Sequence, residues 1–190
     1  MHKSNLYWPA EWHKQEAVWF SWPHRQDTWP AQKLRLIQTQ FAQIIAICSH
    51  SQKVYINANL ALHHNILTIL KSTNCVTSNI SIYDHPTNDI WCRDHGATFV
   101  INRDTNILRA VDWHFNAWGG KFPPWSLDDA IAEQMANKTY SEHYRSPLFL
   151  EGGAIEGNGA GTLLTTEAVA LNPNRNSKWS KDEVAEELRK

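Results

Sequence analysis

Apolar residues recur along this chain at two different periods, and the switches between them mark out its elements. Ala17-Val18-Trp19-Phe20-Ser21-Trp22 is a compact apolar run closed by Pro23, and it reads as the first strand. From Pro30 the spacing lengthens. Leu34, Ile37, Phe41, Ile44 and Cys48 fall at helical intervals, with Lys33, Arg35, Gln38 and Gln43 on the other faces. Residues 53–57 form a short β-branched strand, 62–71 a second helix that buries Ile66, Leu67 and Leu70, and 80–83 the next strand.

That strand delivers the chain to a polar loop, Asn88-Asp89-Ile90-Trp91-Cys92-Arg93-Asp94-His95-Gly96, which feeds a buried strand over 97–101. Residues 97–101 and 107–112 pair as a hairpin about 102–106. A polar-aromatic loop follows at 113–125. Its Gly119-Gly120 lets backbone pass close to another group, and Trp118 beside it is a candidate wall. Ser126 caps a helix over 127–137, and 148–150 leads to Glu151. Gly157-Asn158-Gly159-Ala160-Gly161 turns the chain into 162–166, and 168–171 is one more short strand. Ser180 and Glu183 have capping-box spacing, with Val184, Ala185 and Leu188 following at helical intervals. That helix has only begun at Lys190, which reads as a module cut short.

Two of these stretches share one grammar. Asp94-His95-Gly96-Ala97 and Glu151-Gly152-Gly153-Ala154 each run carboxylate, any residue, Gly, Ala, and each enters a strand, a turn and a strand. The chain therefore reads as an α/β protein of repeated β-rich modules, one domain over 1–190, in which the two carboxylates converge.

Composition narrows the function classes. The 190 residues suffice for one domain with a real core. The net charge of -1 gives no electrostatic reason to expect nucleic acid or an anionic membrane as partner. No apolar run approaches the ~20 residues of a membrane span, and Met1 to Trp8 hold no signal-peptide segment. Three Cys, an odd and sparse set, suit a reducing cytoplasm. Several of the ten Trp sit in Gly/Pro/Asn-rich loops, where a flat aromatic lines a pocket.

Two carboxylates in one pocket suit a planar cation. A guanidinium offers five N–H donors in a fixed fork that carboxylates accept pairwise, and Trp91 and Trp118 are placed to stack on such a plane. Two simpler arrangements compete with this: Asp94 pairing with Arg93 or capping a turn, and Glu151 accepting from the Gly152-Gly153 backbone. Cys92 lies between a pKa-lowering Arg and pKa-raising acids, or is a small buried hydrophobe. The histidines show no metal-ligand spacing. His63 and His64 point about 100° apart on a helix, and H-x-E, C-x-x-C and H-E-x-x-H do not occur. The Gly-rich stretch at 157–161 leads into no helix and has no Lys-Ser/Thr, so it is a turn rather than a phosphate loop.

Taken together in order, Pro9-Ala10-Glu11-Trp12, the Asn88-to-Gly96 loop, Phe115-Asn116-Ala117-Trp118-Gly119-Gly120-Lys121, Leu150-Glu151-Gly152-Gly153, Thr165-Thr166-Glu167 and Leu171-Asn172-Pro173-Asn174-Arg175-Asn176 resemble agmatine deiminase, of the bacterial peptidyl-arginine deiminase family. The resemblance implies a pentein α/β-propeller of five ββαβ-type modules, about half of which lie here. It implies a cytoplasmic hydrolase of polyamine (putrescine) biosynthesis that converts the guanidinium of agmatine to N-carbamoylputrescine and ammonia, with no metal or organic cofactor. Carried over by motif, Asp94 and Glu151 hold the guanidinium, Trp91 and Trp118 line the site, and Asp89 lies toward the amine end.

The family's Cys nucleophile and its H-x-D histidine belong to the second half of a longer chain. No His here is followed two residues later by Asp, and no Cys lies beyond Cys92. The expectations are therefore an inactive isolated chain and strand edges that drive self-association or recruit a second chain supplying the missing modules. Three other readings stand beside these: deimination of peptidyl-arginine, a non-catalytic module that binds guanidino compounds, and an inactive remnant.

Overall fold

A computed structural model of the chain describes residues 5–190. In chain order its strands are β1 (Leu6–Tyr7), β2 (Ala17–Ser21), β3 (Lys53–Ala58), β4 (Ile80–Asp84), β5 (Thr98–Asn102), β6 (Leu108–His114), β7 (Glu142–Phe149), β8 (Glu156–Gly157) and β9 (Leu163–Leu164). Its longer helices are α1 (Ala31–Ser49), α2 (His63–Lys71), α3 (Ile131–Thr139) and α4 (Lys181–Glu187). The chain forms two compact units, Lys14–Cys92 and the remainder.

The Lys14–Cys92 unit is a three-stranded parallel sheet in the order β2-β3-β4, with α1 and α2 as the crossovers. Parallel strands need such long connections, and a β-α-β-α-β pattern supplies them. Alternation along each strand sorts the side chains. Val18, Phe20, Val54, Ile56, Ile80 and Ile82 join Trp22, Ala42, Ile45, Ile66 and Leu70 in one core. Trp19, Tyr55 and Tyr83 form a ring cluster instead, with Trp19–Tyr55 centroids 4.9 Å apart and Tyr55–Tyr83 centroids 5.5 Å apart. At the end of central β3, buried Asn57 ties the sheet together. Its Oδ1 lies 2.9 Å from His85 Nδ1, and its Nδ2 donates to Ser21 Oγ and Cys92 Sγ at 3.5 and 3.6 Å.

The second unit is a four-stranded sheet in the order β1-β5-β6-β7. β5 and β6 are the predicted hairpin, while β6 and β7 run parallel, with a register shift between Asp112 and His114. Trp113, Leu148, Leu150, Ile155, Ala170 and Val184 form its core, with Trp8 packed against them. Trp8 lies so close over Gly157 that a Cβ there would meet its ring at 2.6 Å. α4 starts with the predicted capping box, Ser180 and Glu183 bonding each other reciprocally.

Several expectations are corrected. Residues 168–171 are not a strand: Glu167–Ala170 is one helical turn, because Asn176 Nδ2 holds the Ala170 carbonyl at 3.0 Å and leaves no ladder to join. Ser126 caps nothing. The helix breaks into Ser126–Asp129 and α3, and the residue before the first piece is Trp125. The Asn88-to-Gly96 loop contains a helical turn, Cys92–His95. The strand that follows it is only half-buried along its length. Ile44 and Leu67, expected inside, are 47% and 43% exposed; the buried line of α1 runs instead through Leu34, Ala42, Ile45 and Ala46. β1 and the first half of β7 have no sequence signal strong enough to predict.

Candidate functional site

The site lies in the second unit and starts from an unusual backbone. Ala117, Trp118, Gly119 and Gly120 have successive φ values of 50, 60, 84 and 79°, a single left-handed turn. For L-residues such as Ala117 and Trp118 this conformation costs about 1–2 kcal/mol each. Local bonds hold it. Asn116 Oδ1 accepts from Gly119 N at 2.9 Å, Gly120 N donates to Asn116 O at 2.7 Å, and Lys121 N donates to Ala117 O at 3.1 Å. Glycine is required at 119, where φ is positive and a Cβ would also stand 3.0 Å from the Asn174 side chain.

The turn aims Trp118, whose Nε1–H donates to Asp94 Oδ2 at 3.1 Å. The other oxygen of Asp94 accepts from the backbone N–H of Gly153, also at 3.1 Å. Gly153 stands two residues past Glu151, so the two grammatically matched stretches do meet, through the Gly-Gly backbone. The packing permits no side chain there. A Cβ on Gly152 would lie 2.3 Å from the Arg93 carbonyl, and one on Gly153 would lie 2.2 Å from Asp94 Oδ1.

The two carboxylates differ in kind. Glu151 is buried and carries an internal cation: Arg175 Nε reaches Oε1 and Oε2 at 2.9 and 3.2 Å, and Arg175 Nη2 reaches Oε1 at 2.8 Å. Its partner is therefore a buried guanidinium rather than the Gly152-Gly153 backbone. Asp94 is half-buried, and the bonds resolved to it among the described residues come from two neutral N–H groups. Arg93 forms ion pairs with Glu11 and, at 3.7 Å, Glu156. Burial pushes the Asp94 carboxyl up from its ordinary pKa, against the pull of the Trp118 and Gly153 bonds and of Arg93. A carboxylate offers about four acceptor positions, so Asp94 retains capacity for a further donor pair. Exposed Gly153 stands beside it.

The segment 172–176 completes the geometry. Asn172, Asn174, Arg175 and Asn176 surround a single turn. Asn172 Oδ1 accepts from Asn174 N at 2.9 Å, and Asn174 O accepts from Asn116 Nδ2 at 2.9 Å. Buried Asn176 bonds both backbone groups of Phe149, its Oδ1 accepting at 3.0 Å and its Nδ2 donating at 2.9 Å. The contacts close a ring: Asp94, Trp118, Asn116, Asn174, Arg175, Glu151, Gly153, and Asp94 again. Gly119-Gly120 was the sequence signal for its left-handed side. Nothing in the spacing signalled Arg175 as the partner of Glu151.

Asp89, Trp91 and Cys92 belong to the other unit. Asp89 Oδ1 accepts from Ile90 N at 2.8 Å, Trp91 is 48% exposed, and Cys92 Sγ meets Asn57. Among the described residues, no cluster of three or more His, Cys, Asp or Glu side chains is placed to hold a metal ion. Among the same residues, no helix is long and apolar enough to cross a membrane.

Fold and site together define a mixed α/β protein with a half-buried carboxylate held between an indole and a Gly-Gly backbone. The chain belongs to the Porphyromonas-type peptidyl-arginine deiminase family, whose profile matches residues 7–190. A relative from Yersinia pseudotuberculosis bearing the name agmatine deiminase is 37% identical over 98% of this chain and 50% of its own length. The agmatine deiminase of Enterococcus faecalis superposes with a TM-score of 0.87 at 33% identity, over 97% of this chain and 50% of that one. A C. jejuni agmatine deiminase solved with substrate bound gives 0.82 at 31% identity, over 97% and 52%. The chain thus spans about half the length of the curated relatives it matches.

Proposed function

We propose that this chain is the guanidinium-holding half of an agmatine deiminase. Asp94 accepts two N–H groups of the substrate guanidinium. Glu151, its orientation set by Arg175, shapes the other wall through Gly152 and Gly153. Trp118 fixes Asp94 and lines the pocket. By the family motif, Trp91 lines the pocket as well and Asp89 lies toward the amine end of the substrate, which favours agmatine over a peptidyl-arginine. The observation that carries this reading is the state of Asp94: a carboxylate partly stripped of water, bonded by two neutral donors and raised in pKa by burial. Such a group gains more from a bound cation than an exposed acid does, because the desolvation cost is already met.

In the complete enzyme a Cys thiolate adds to the guanidinium carbon and ammonia leaves. Water then hydrolyses the amidino thioether to N-carbamoylputrescine and restores the thiolate, with a His moving the protons. This sequence has neither H-x-D nor a late Cys. Taken alone, these 190 residues therefore bind guanidino compounds without turning them over, as part of a pentein propeller in the cytoplasm, serving polyamine biosynthesis.

The test is an ammonia assay beside calorimetry on the purified chain, with agmatine and with an N-blocked arginine amide. Agmatine binding without ammonia release supports the proposal. Ammonia release at a clear rate overturns the division of labour, and stronger binding of the blocked arginine overturns the substrate.

A further inference from the structure

The mechanism leaves one half-buried polar network unused, and it ends on the site. Arg145 on β7 reaches four groups. Its Nη2 donates to Asp129 Oδ2 at 2.7 Å and to His114 Nδ1 at 2.5 Å, and its Nη1 donates to the Asp129 carbonyl at 3.0 Å and to Asp112 Oδ1 at 2.5 Å. Asp112 is 1% exposed, and its second oxygen meets His143 Nε2 at 2.8 Å. Asp129, fixed at both its carboxylate and its carbonyl, uses its other oxygen to accept the backbone N–H of Phe115 at 2.6 Å.

Phe115 lies between the strand's last residue, His114, and the left-handed turn that begins at Ala117. Its buried ring meets Trp118 edge to face, centroids 5.5 Å apart at 83°. It meets His95 in the same way at 5.8 Å and 78°. Trp118 donates to Asp94, and His95 is the next residue in the chain. One ring therefore supports both sides of the carboxylate, and one carboxylate clamps the backbone that carries that ring.

We infer that Asp129 and Phe115 are positioning residues for Asp94. Arg145 holds Asp129, Asp129 pins the Phe115 backbone, and the Phe115 ring sets the angle from which Trp118 reaches the acid. The consequence for guanidino ligands rests on the deiminase reading above; the positioning itself does not. An edge-to-face pair has a narrow preferred geometry, and the left-handed turn is costly to hold. Releasing the clamp lets the turn relax and withdraws the indole N–H from Asp94.

The experiment uses the full chain with 15N-labelled Trp. The Trp118 indole N–H signal is identified as the one missing from Trp118→Phe. Asp129→Leu removes the acceptor for Phe115, and we expect the Trp118 indole proton to exchange with solvent about tenfold faster, the size of one lost hydrogen bond. Agmatine affinity falls by a similar factor. Asp129→Asn keeps an acceptor for Phe115 and restores the Trp118 signal. The indole signals of Trp113 and Trp19 stay in place throughout. Phe115→Leu removes the ring alone, repeats the effect, and serves if Asp129→Leu does not fold.

In the Trp118→Phe background, Asp129→Leu costs no further affinity, because the two act through one contact. An unmoved Trp118 signal in both Asp129→Leu and Phe115→Leu overturns the inference, as does a full additive loss in the double variant. A moved Trp118 signal in a chain that does not bind agmatine overturns the deiminase reading alone.

Discussion

Gly153 donates its backbone N–H to Asp94 over 3.1 Å, and a methyl group at the same residue would lie 2.2 Å from the oxygen that accepts it. The bond and the bare Cα are one requirement. At Gly152 the obstacle differs, because a Cβ there would meet the Arg93 carbonyl at 2.3 Å. A short side chain can swing away, whereas backbone cannot. Gly153→Ala is expected to keep the fold and lose agmatine binding, since it displaces Asp94. Gly152→Ala is expected to destabilise the chain by about 1–3 kcal/mol, the usual range for overpacking. Urea unfolding and calorimetry on the two variants separate these outcomes.

Glu151 and Arg175 form a buried ion pair, their side chains 5% and 9% exposed. Removing one partner leaves an uncompensated charge, which typically costs about 3–5 kcal/mol. Arg175→Met is expected to lose stability on that scale in urea unfolding. Replacing both residues, Glu151→Leu with Arg175→Met, recovers most of the loss, because a buried pair contributes little net stability beyond a well-packed apolar one.

Asn176 is 2% exposed and bonds three backbone groups, two on Phe149 and one on Ala170. Each buried polar group left without a partner costs about 1–3 kcal/mol. Asn176→Ala is expected to lower stability by at least the smaller figure and to speed amide exchange at Phe149. Unchanged exchange there would show that Asn176 does not hold the strand end.

Stability should fall in mild acid. His95 is fully buried, and burial pulls its pKa from 6.5 to about 3. Below pH 6.5 the unfolded chain takes a proton on this ring and the folded chain does not, so stability drains away as the pH falls toward about 3. Asp94 acts with the opposite sign. Its folded pKa is raised above 3.8, so protonation relieves a buried charge and adds stability as pH falls through the folded value. His95 prevails, being wholly buried where Asp94 is only half so. Urea midpoints should drop from neutral to mildly acidic pH in the unsubstituted chain, and His95→Gln should flatten that slope.

The hydrophobic pattern sufficed for the strands and helices of the parallel unit. The apolar runs at β2, β3 and β4, separated by helical spacing, allow few other arrangements. It failed where tertiary bonds override local preference. The apolar residues 168–171 read as a short strand, yet Asn176 holds the Ala170 carbonyl in a turn. The first half of β7, Glu142 to Arg145, has polar residues at three of its four positions and forms because β6 offers a parallel edge.

The sequence offered two acids, an indole and a glycine pair as candidates; the structure joins Asp94 to Trp118 and Gly153 and gives Glu151 to Arg175. That Asp94 and Gly153 meet follows the shared motif grammar. The Glu151–Arg175 pair and the Asp129–Phe115 clamp join residues 24 and 14 positions apart in sequence. Neither spacing belongs to a helix or a strand, so no periodicity could reveal them.

The most direct measurement is calorimetric titration of agmatine into the unsubstituted chain and into Asp94→Asn, with putrescine as the amine that lacks a guanidinium. The account predicts that the unsubstituted chain binds agmatine and not putrescine. It also predicts that Asp94→Asn, which keeps an acceptor for Trp118 or Gly153 but loses the charge, binds agmatine at least about a hundredfold more weakly, in line with the cost of an unpaired charge. Equal binding by the two chains, or equal binding of the two ligands, would contradict it.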